Sequence, residues 1–419
     1  MKLQSSNCTM SFDKPKHINY WKRCLKTYLP NAYTSNDSNR MTLAFFTISA
    51  LDLLSTLDDP ATLSDEERAS AVAWIYRCQH PNGGFRGFPG TDFGELSNAE
   101  NAVWDPANVP ATYFALMALA LLRDDLMSVR KTECLAWLRR MQRPDGSFGE
   151  TLSLDGAVEG GTDSRFGYCA MGIRWMLRGA VEGPAWGVPD IDVEGLVRVI
   201  RNCQTYDGGI SELPFHEAHG GFTYCALSVL QFAQRLPSDT AGQKAGDLSD
   251  IELTTRWLLS RQVPAVDEEG DDSDSDASNN HSGTAQNPHS AAFDHFYPIP
   301  TADVPRPLCI GFNGRTNKLT DTCYTWWIAA SLKMLKRLHL LSAEPACAYL
   351  LEQTQHRIGG FGKHAGEPPD LYHSYMGLAA LALLGHEGIK PIHPSACFSL
   401  DGVQWLEGLE WRTKLCAKS

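Results

Sequence analysis

The chain is 419 residues long, 43% hydrophobic, and carries a formal net charge of -12. That length can bury a large core, either as two domains or as one repeat array. The acidic balance, with no basic stripe interleaved with aromatics, excludes a nucleic-acid surface, and the longest apolar runs, such as Leu378 to Leu384, are far too short for membrane insertion.

The N-terminal Met1-Lys2-Leu3-Gln4-Ser5-Ser6 lacks the apolar core of a secretion signal, and residues 1–16 read as a flexible arm. The helical pattern starts at His17, through Tyr20-Trp21-Lys22-Arg23-Cys24-Leu25, and a second helix is predicted from Asn39 through Leu54. Ser64-Asp65-Glu66-Glu67 has the form of a capping box and opens a third helix ending near Cys78. Beyond it a glutamine followed by a glycine turn recurs: Gln79 before Gly83-Gly84-Phe85, Gln142 before Gly146-Ser147-Phe148, Gln204 before Gly208-Gly209, and Gln353 before Gly359-Gly360-Phe361. Gln262 starts a further turn that resumes only at Gly311-Phe312.

Each turn leads to a tyrosine near the start of an apolar helix: Tyr113, Tyr168, Tyr224, Tyr324 and Tyr375, at spacings of 55, 56, 100 and 51. The long spacing contains residues 264–307, where nine acids meet the single base Arg306, and removing that segment restores the period. Its Asp-, Ser- and Asn-rich composition predicts a disordered acidic insertion. The run Asp271-Asp272-Ser273-Asp274 inside it lacks the rigid, partly buried setting that a catalytic acid needs. No convincing strand pattern of period two appears. The chain therefore reads as all-α, a single domain over residues 17–419 made of helix–glycine turn–helix units that bury their faces against their neighbours. Twelve cysteines without paired spacing fit free thiols in a reducing compartment, so the cytoplasm is the expected location.

Chemistry concentrates between Gly311 and Tyr324. Arg315 and Lys318 are cations three residues apart on a glycine-containing loop, as a phosphate group requires. Thr320 can cap the following helix, which places Asp321 and Cys323 at its start, where a thiol's pKa is lowered towards the thiolate that binds metal. Taken singly, each of these residues also fits a solvated loop or a structural cysteine. The repeat register adds His373, two residues before Tyr375, whereas Asp321 lies three and Cys323 one before Tyr324. One carboxylate, one thiolate and one imidazole leave a fourth position open, the ligand set of a catalytic rather than a structural zinc.

Several motifs together resemble the β subunits of protein prenyltransferases: Gly314-Arg315-Thr316-Asn317-Lys318 with Asp321-x-Cys323-Tyr324, His219-Gly220-Gly221, and Asp370-Leu371-Tyr372-His373. The resemblance covers roughly residues 40–385 and implies an α/α barrel, or toroid, with a helical-hairpin α subunit as obligate partner. It implies one zinc held by Asp321, Cys323 and His373, with Lys318 and Tyr324 also catalytic. His219, Arg315, Lys318, Tyr324 and Lys363 would bind the diphosphate of the lipid substrate. Thr42, Arg165, Tyr168, Cys225 and Trp327 would touch its isoprenoid tail. The product is a thioether on the cysteine of a C-terminal CaaX sequence.

Within the family two positions point to type I geranylgeranyl transfer, from geranylgeranyl diphosphate to proteins such as Rho-type small GTPases. Thr42 stands where the farnesyl enzyme has a tryptophan that shortens the cavity. Lys363, ten residues before His373, stands where that enzyme has a magnesium-binding aspartate, so Mg2+ is not expected to be required. The peptide end is mapped by the resemblance to Phe46, Asn108, Pro110, Phe166 and Tyr372. There Asn108 replaces the usual histidine and Tyr372 is more like the farnesyl enzyme. The alternatives are a farnesyltransferase β subunit, a terpene-cyclase-like barrel, and a non-catalytic barrel protein. The last two have no use for three ligands and a cation cluster in register. The terminal Cys416-Ala417-Lys418-Ser419 is not read as a lipidation box, since Lys418 is not aliphatic.

Overall fold

The computed structural model describes residues 11–236, 248–265 and 310–417, apart from 28, 30–32, 34, 180 and 182. Its core is a ring of six inner helices: α2 (Arg40–Leu53), α4 (Val109–Leu121), α6 (Ser164–Arg178), α8 (Gly220–Phe232), α10 (Thr322–Met334) and α12 (Leu371–Leu383). They pack side by side in that order, and α12 returns to α2. These helices are apolar nearly all round because neighbours press on both flanks; in α4 every residue from Ala115 to Leu121 is buried. Outside lie α1 (Lys14–Lys26), α3 (Asp65–Arg77), α5 (Lys131–Arg140), α7 (Val193–Asn202) and α9 (Ile251–Leu259), each against an inner helix. These are amphipathic, and α7 buries Gly195, Leu196, Val197 and Ile200 while Glu194, Arg198, Arg201 and Asn202 face out. The last outer unit, α11 (Ala343–Ala348), continues as a π-helical turn to Thr354, and α13 (Leu400–Glu407) and α14 (Glu410–Cys416) pack on α4 and α6.

The recurrent glutamine ties each turn to the next outer helix. Its side-chain oxygen accepts the backbone N–H of Arg130 at Gln79 (2.8 Å), Asp192 at Gln142 (2.7 Å), Ser249 at Gln204 (2.9 Å) and Ser342 at Gln262 (3.1 Å). The last clamp is Gln355, which accepts from Asp13 N (3.2 Å) and so closes the ring onto the beginning of the chain. The turn glutamine is therefore Gln355, not Gln353; the six-residue step to a paired partner, seen at Gln79–Phe85 and Gln142–Phe148, is repeated by Gln355–Phe361. Glycine is required in these turns: Gly359 has φ +87°, and a Cβ there would lie 2.2 Å from the Lys16 carbonyl of α1.

Two further expectations change. Helix α1 starts at Lys14 rather than His17, because Asp13 caps it and Pro15 occupies its first turn. Two short strand pairs exist, β1 (Thr151–Leu152) with β2 (Val158–Glu159) and β3 (Gln262–Pro264) with β4 (Ile310–Phe312), too brief to leave an alternating pattern. The second pair joins Gln262 to Phe312 across the expected insertion, of which residues 266–307 lie outside the described ones, as does most of the expected N-terminal arm. The capping box holds as read, with Ser64 and Glu67 bonded reciprocally.

At the end where α2 and α10 finish, residues 392–399 enter the ring as a tight axial turn, with Lys390 N bonded to Leu53 O and Ser395 Oγ beside Met334 Sδ (3.0 Å). Four inner-helix tyrosines donate to its carbonyls: Tyr113 to Ala396 (3.2 Å), Tyr168 to Ser395 (2.9 Å), Tyr224 to Pro394 (2.9 Å) and Tyr375 to Cys397 (2.5 Å).

Candidate active site

Five inner helices begin on a capping side chain: Asn108, Asp163, His219, Asp321 and Asp370, each accepting a backbone N–H two or three residues on. Asp321, not Thr320, is the cap of α10; its carboxylate reaches Cys323 N at 2.8 Å. Counted from these caps, Tyr113, Tyr168, Tyr224 and Tyr375 all stand at the fifth position, but in α10 that position is Trp326 and Tyr324 stands at the third. Tyr324 is therefore out of the tyrosine register and free for another task.

Parallel neighbouring helices bring Asp321, Cys323 and His373 together, with one donor atom from each lying within 4.8 Å of the others. His373 Nε2 is 3.3 Å from Asp321 Oδ1, and His373 Nδ1 is held by Asp370 Oδ2 at 2.6 Å. Burial alone would lower the His373 pKa, but the hydrogen bonds and charges of Asp321 and Asp370 outweigh it and raise it to about 9. Burial would raise the Asp321 carboxyl, yet bonding to His373 holds it below its ordinary value. Burial, helped by the Asp321 charge, pushes the Cys323 thiol well up. A carboxylate, a thiol and an imidazole whose second nitrogen is fixed by a carboxylate fit a zinc ion by donor type and outer support. The resemblance gives Asp370 no role, although it opens the motif that carries His373. Its spacing of three from His373 at a helix start was the available signal.

Beside this cluster, His219 Nδ1 accepts Gly221 N (3.0 Å), so the proton of a neutral ring sits on Nε2, 2.9 Å from the Tyr324 hydroxyl. The ring stays neutral because burial, with Arg315 and Arg165 nearby, lowers its pKa to about 4. With His219 donating, the Tyr324 O–H is left to donate onward. The Tyr324 ring covers Gly314, where a Cβ would come within 2.0 Å of it, and Gly220 N bonds Gly314 O at 2.9 Å. Arg315 and Lys318 project from that loop into solvent, Arg315 4.0 Å from Glu217, and Asn313 Nδ2 secures the loop on Lys318 O (3.0 Å). Lys363 is exposed, and its carbonyl accepts Thr322 N (3.0 Å), which puts it at the start of α10.

The remaining expected residues spread around the ring. Trp327 Nε1 donates to the Tyr372 hydroxyl (3.1 Å), and Phe46 lies 6.1 Å from the Tyr372 ring and stacks on Tyr375 at 5.0 Å. Thr42 is the third residue of α2 and half-buried. Asn108 caps α4, with Pro110 in its first turn, and its amide donates to Glu150 (2.8 Å). Phe166 and Cys225 are buried on α6 and α8. Arg165 folds back onto Asp163 in a two-point ion pair (2.7 and 3.0 Å) with its side chain exposed, and Tyr168 is committed to Tyr113 and the axial turn.

A ring of parallel helices that gathers a zinc-type donor set beside a cationic loop defines a prenyltransferase toroid, and this chain belongs to that family: the prenyltransferase alpha-alpha toroid domain matches residues 12–398. The chain is 31% identical over 394 residues to the geranylgeranyl transferase type-1 subunit beta of Arabidopsis thaliana, covering 93% of this chain and 89% of that protein. It is 27% identical to the protein farnesyltransferase subunit beta of Schizosaccharomyces pombe, covering 90% and 80%. Among solved structures, Candida albicans protein geranylgeranyltransferase-I complexed with GGPP superposes with a TM-score of 0.75 at 26% identity, over 95% of this chain and 99% of that one. Among the described residues no helix is long and apolar enough to cross a membrane.

Proposed function

We propose that this chain is the catalytic β subunit of a type I protein geranylgeranyltransferase, working with an α subunit in the cytoplasm on proteins that end in a CaaX sequence. The observation that carries this reading is the convergence of Asp321, Cys323 and His373 within 4.8 Å, next to the His219–Tyr324 pair. Zinc bound there would supply the Lewis acidity that keeps the substrate cysteine ionised at neutral pH. The chain's own groups serve the leaving side. As the new C–S bond forms and the bond from the prenyl carbon to diphosphate oxygen breaks, Arg315, Lys318 and the Tyr324 hydroxyl meet the charge that grows on diphosphate. The Lys363 ammonium adds positive charge there without Mg2+. Thr42 on α2 and the type-1 relatives favour the longer lipid.

The test is direct. Purified with an α subunit, the protein should hold about one zinc per β chain and modify a CaaX peptide in magnesium-free buffer. Its kcat/KM should be higher with geranylgeranyl than with farnesyl diphosphate, and the reverse order would make it a farnesyltransferase. Cys323→Ala should lose both zinc and turnover while staying helical; full turnover in that variant would remove the assigned site.

A further inference from the structure

The repeats supply an internal control for the cation loop. The residue just before each turn glutamine is buried, and in four units it is Cys78, Met141, Cys203 or Thr354. In the unit that carries the loop it is Arg261, only 6% exposed. Its main chain does the common job: the Arg261 carbonyl accepts Asn313 N (3.0 Å), just as Cys78 O accepts Arg86 N (2.7 Å), Cys203 O accepts Ser211 N (3.0 Å) and Thr354 O accepts Gly362 N (2.9 Å). A small or apolar side chain satisfies this place elsewhere in the ring, so a buried guanidinium here needs another reason.

Its surroundings supply one. Among the described residues no carboxylate forms an ion pair with Arg261, and its Nε has no hydrogen-bond partner. The guanidinium lies over the Trp257 ring at 5.1 Å, Nη2 donates to Ser260 Oγ (3.2 Å), and Nη1 donates to Thr316 Oγ1 (3.2 Å). Burial lowers its pKa, which the more distant charges of Asp207 and Glu217 offset only in part. Leaving a buried cation without a counter-ion is costly, and Thr316 is the loop residue between Arg315 and Lys318.

We propose that Arg261 is a positioning residue of the diphosphate pocket, fixing through Thr316 the loop that presents Arg315 and Lys318. The buried guanidinium also adds positive potential behind that loop, a charge that an incoming diphosphate would balance. This role rests on the proposed function, and the experiment separates the two. Thr316→Val and Arg261→Met would be made in the full β chain with its α subunit. Dissociation constants would be measured for geranylgeranyl diphosphate and for geranylgeraniol, which has the same tail and no phosphate. Each variant should bind the diphosphate about 10- to 100-fold more weakly, as loss of loop geometry does, while the alcohol binds as before. In the double variant the two losses should not add, because both remove one link. Thr316 is exposed, so its variant carries the test even where Arg261→Met unfolds. Equal loss of alcohol and diphosphate binding, unchanged diphosphate binding, or additive losses would overturn the role. An unmodified heterodimer that binds no isoprenoid diphosphate would overturn the proposed function, and this role with it.

Discussion

The two ends of the helical ring are built from the same repeat and have different fates. At the axial turn, four helices present the same residue at the same place: Tyr113, Tyr168, Tyr224 and Tyr375, all donating to carbonyls between Pro394 and Cys397. At the mouth, the caps of those helices and of α10 are of three residue types: Asn108, His219 and the aspartates Asp163, Asp321 and Asp370. A cap needs only a side-chain acceptor, and several residue types provide one. The fold therefore tolerates variety at the mouth, and the site is made from that tolerance. His219, Asp321 and Asp370 each hold a helix start and also take part in the polar cluster. The axial end has no such freedom, since only a long side chain with a terminal donor spans from the helix to the turn.

Removing a group that belongs to both roles should show the largest effect. Asp370→Ala frees His373 Nδ1, and zinc affinity should fall about 10- to 100-fold, read by chelator competition on the heterodimer. Unchanged affinity would reduce Asp370 to a cap. Next is Thr42→Trp, which would fill the space on α2 that the proposed geranylgeranyl tail would use. Cores resist overpacking by about 1–3 kcal/mol, so the kcat/KM ratio of geranylgeranyl over farnesyl diphosphate should drop about tenfold or more. A constant ratio in a folded variant would place the lipid ruler elsewhere.

The axial end should respond in stability instead. Tyr113→Phe leaves Ala396 O and the Tyr168 hydroxyl short of a partner and should cost about 1–3 kcal/mol in urea unfolding, with transfer rates little changed. A matching loss of activity would mean that the two ends are coupled. The last effect is with pH. Burial lowers the pKa of His17 and of His393 to about 4, and both accept backbone N–H bonds as neutral rings, His17 from Gly360 and His393 from Ser395 and Ala396. Both folded-state values lie below the ordinary 6.5, so the unfolded chain binds more protons between the two. Their contribution is complete above about pH 6.5 and is lost as pH falls towards 4. Urea midpoints at pH 7 and 5 measure it, and His393→Gln should flatten the slope.

Much of this was legible in the sequence, and the misses share a cause. The glycine turns and the Asp321, Cys323 and His373 set could be read because periodicity and ligand chemistry are local signals. Register was counted from tyrosines, and Tyr324 breaks that count: from the caps, Asp321 is at zero, Cys323 at two and His373 at three. Caps would have been the better ruler, since hydrogen bonding fixes them to helix starts. Asp370 went unassigned because its effect passes through another side chain, and Arg261 went unseen because its partner Thr316 lies 55 residues away. The Asp13 and Pro15 start of α1 is also written in the sequence, but the aromatic pattern after His17 is the stronger signal.

The clamp between Gln355 and Asp13 spans 342 positions of the chain. A ribosome adding roughly 5–20 residues per second separates the two partners by roughly 20–70 s. During that time α1 can form but has no last turn to dock on, and the inner face of α2 waits for α12. Helices α1 and α2, made well before α12, are thus among the last to be fully buried, and contacts of such long sequence separation fold slowly. For this chain the synthesis of the last repeat and the closing of its core are nearly the same event, so a protein that stalls before Gln355 leaves an open ring with its apolar seam exposed.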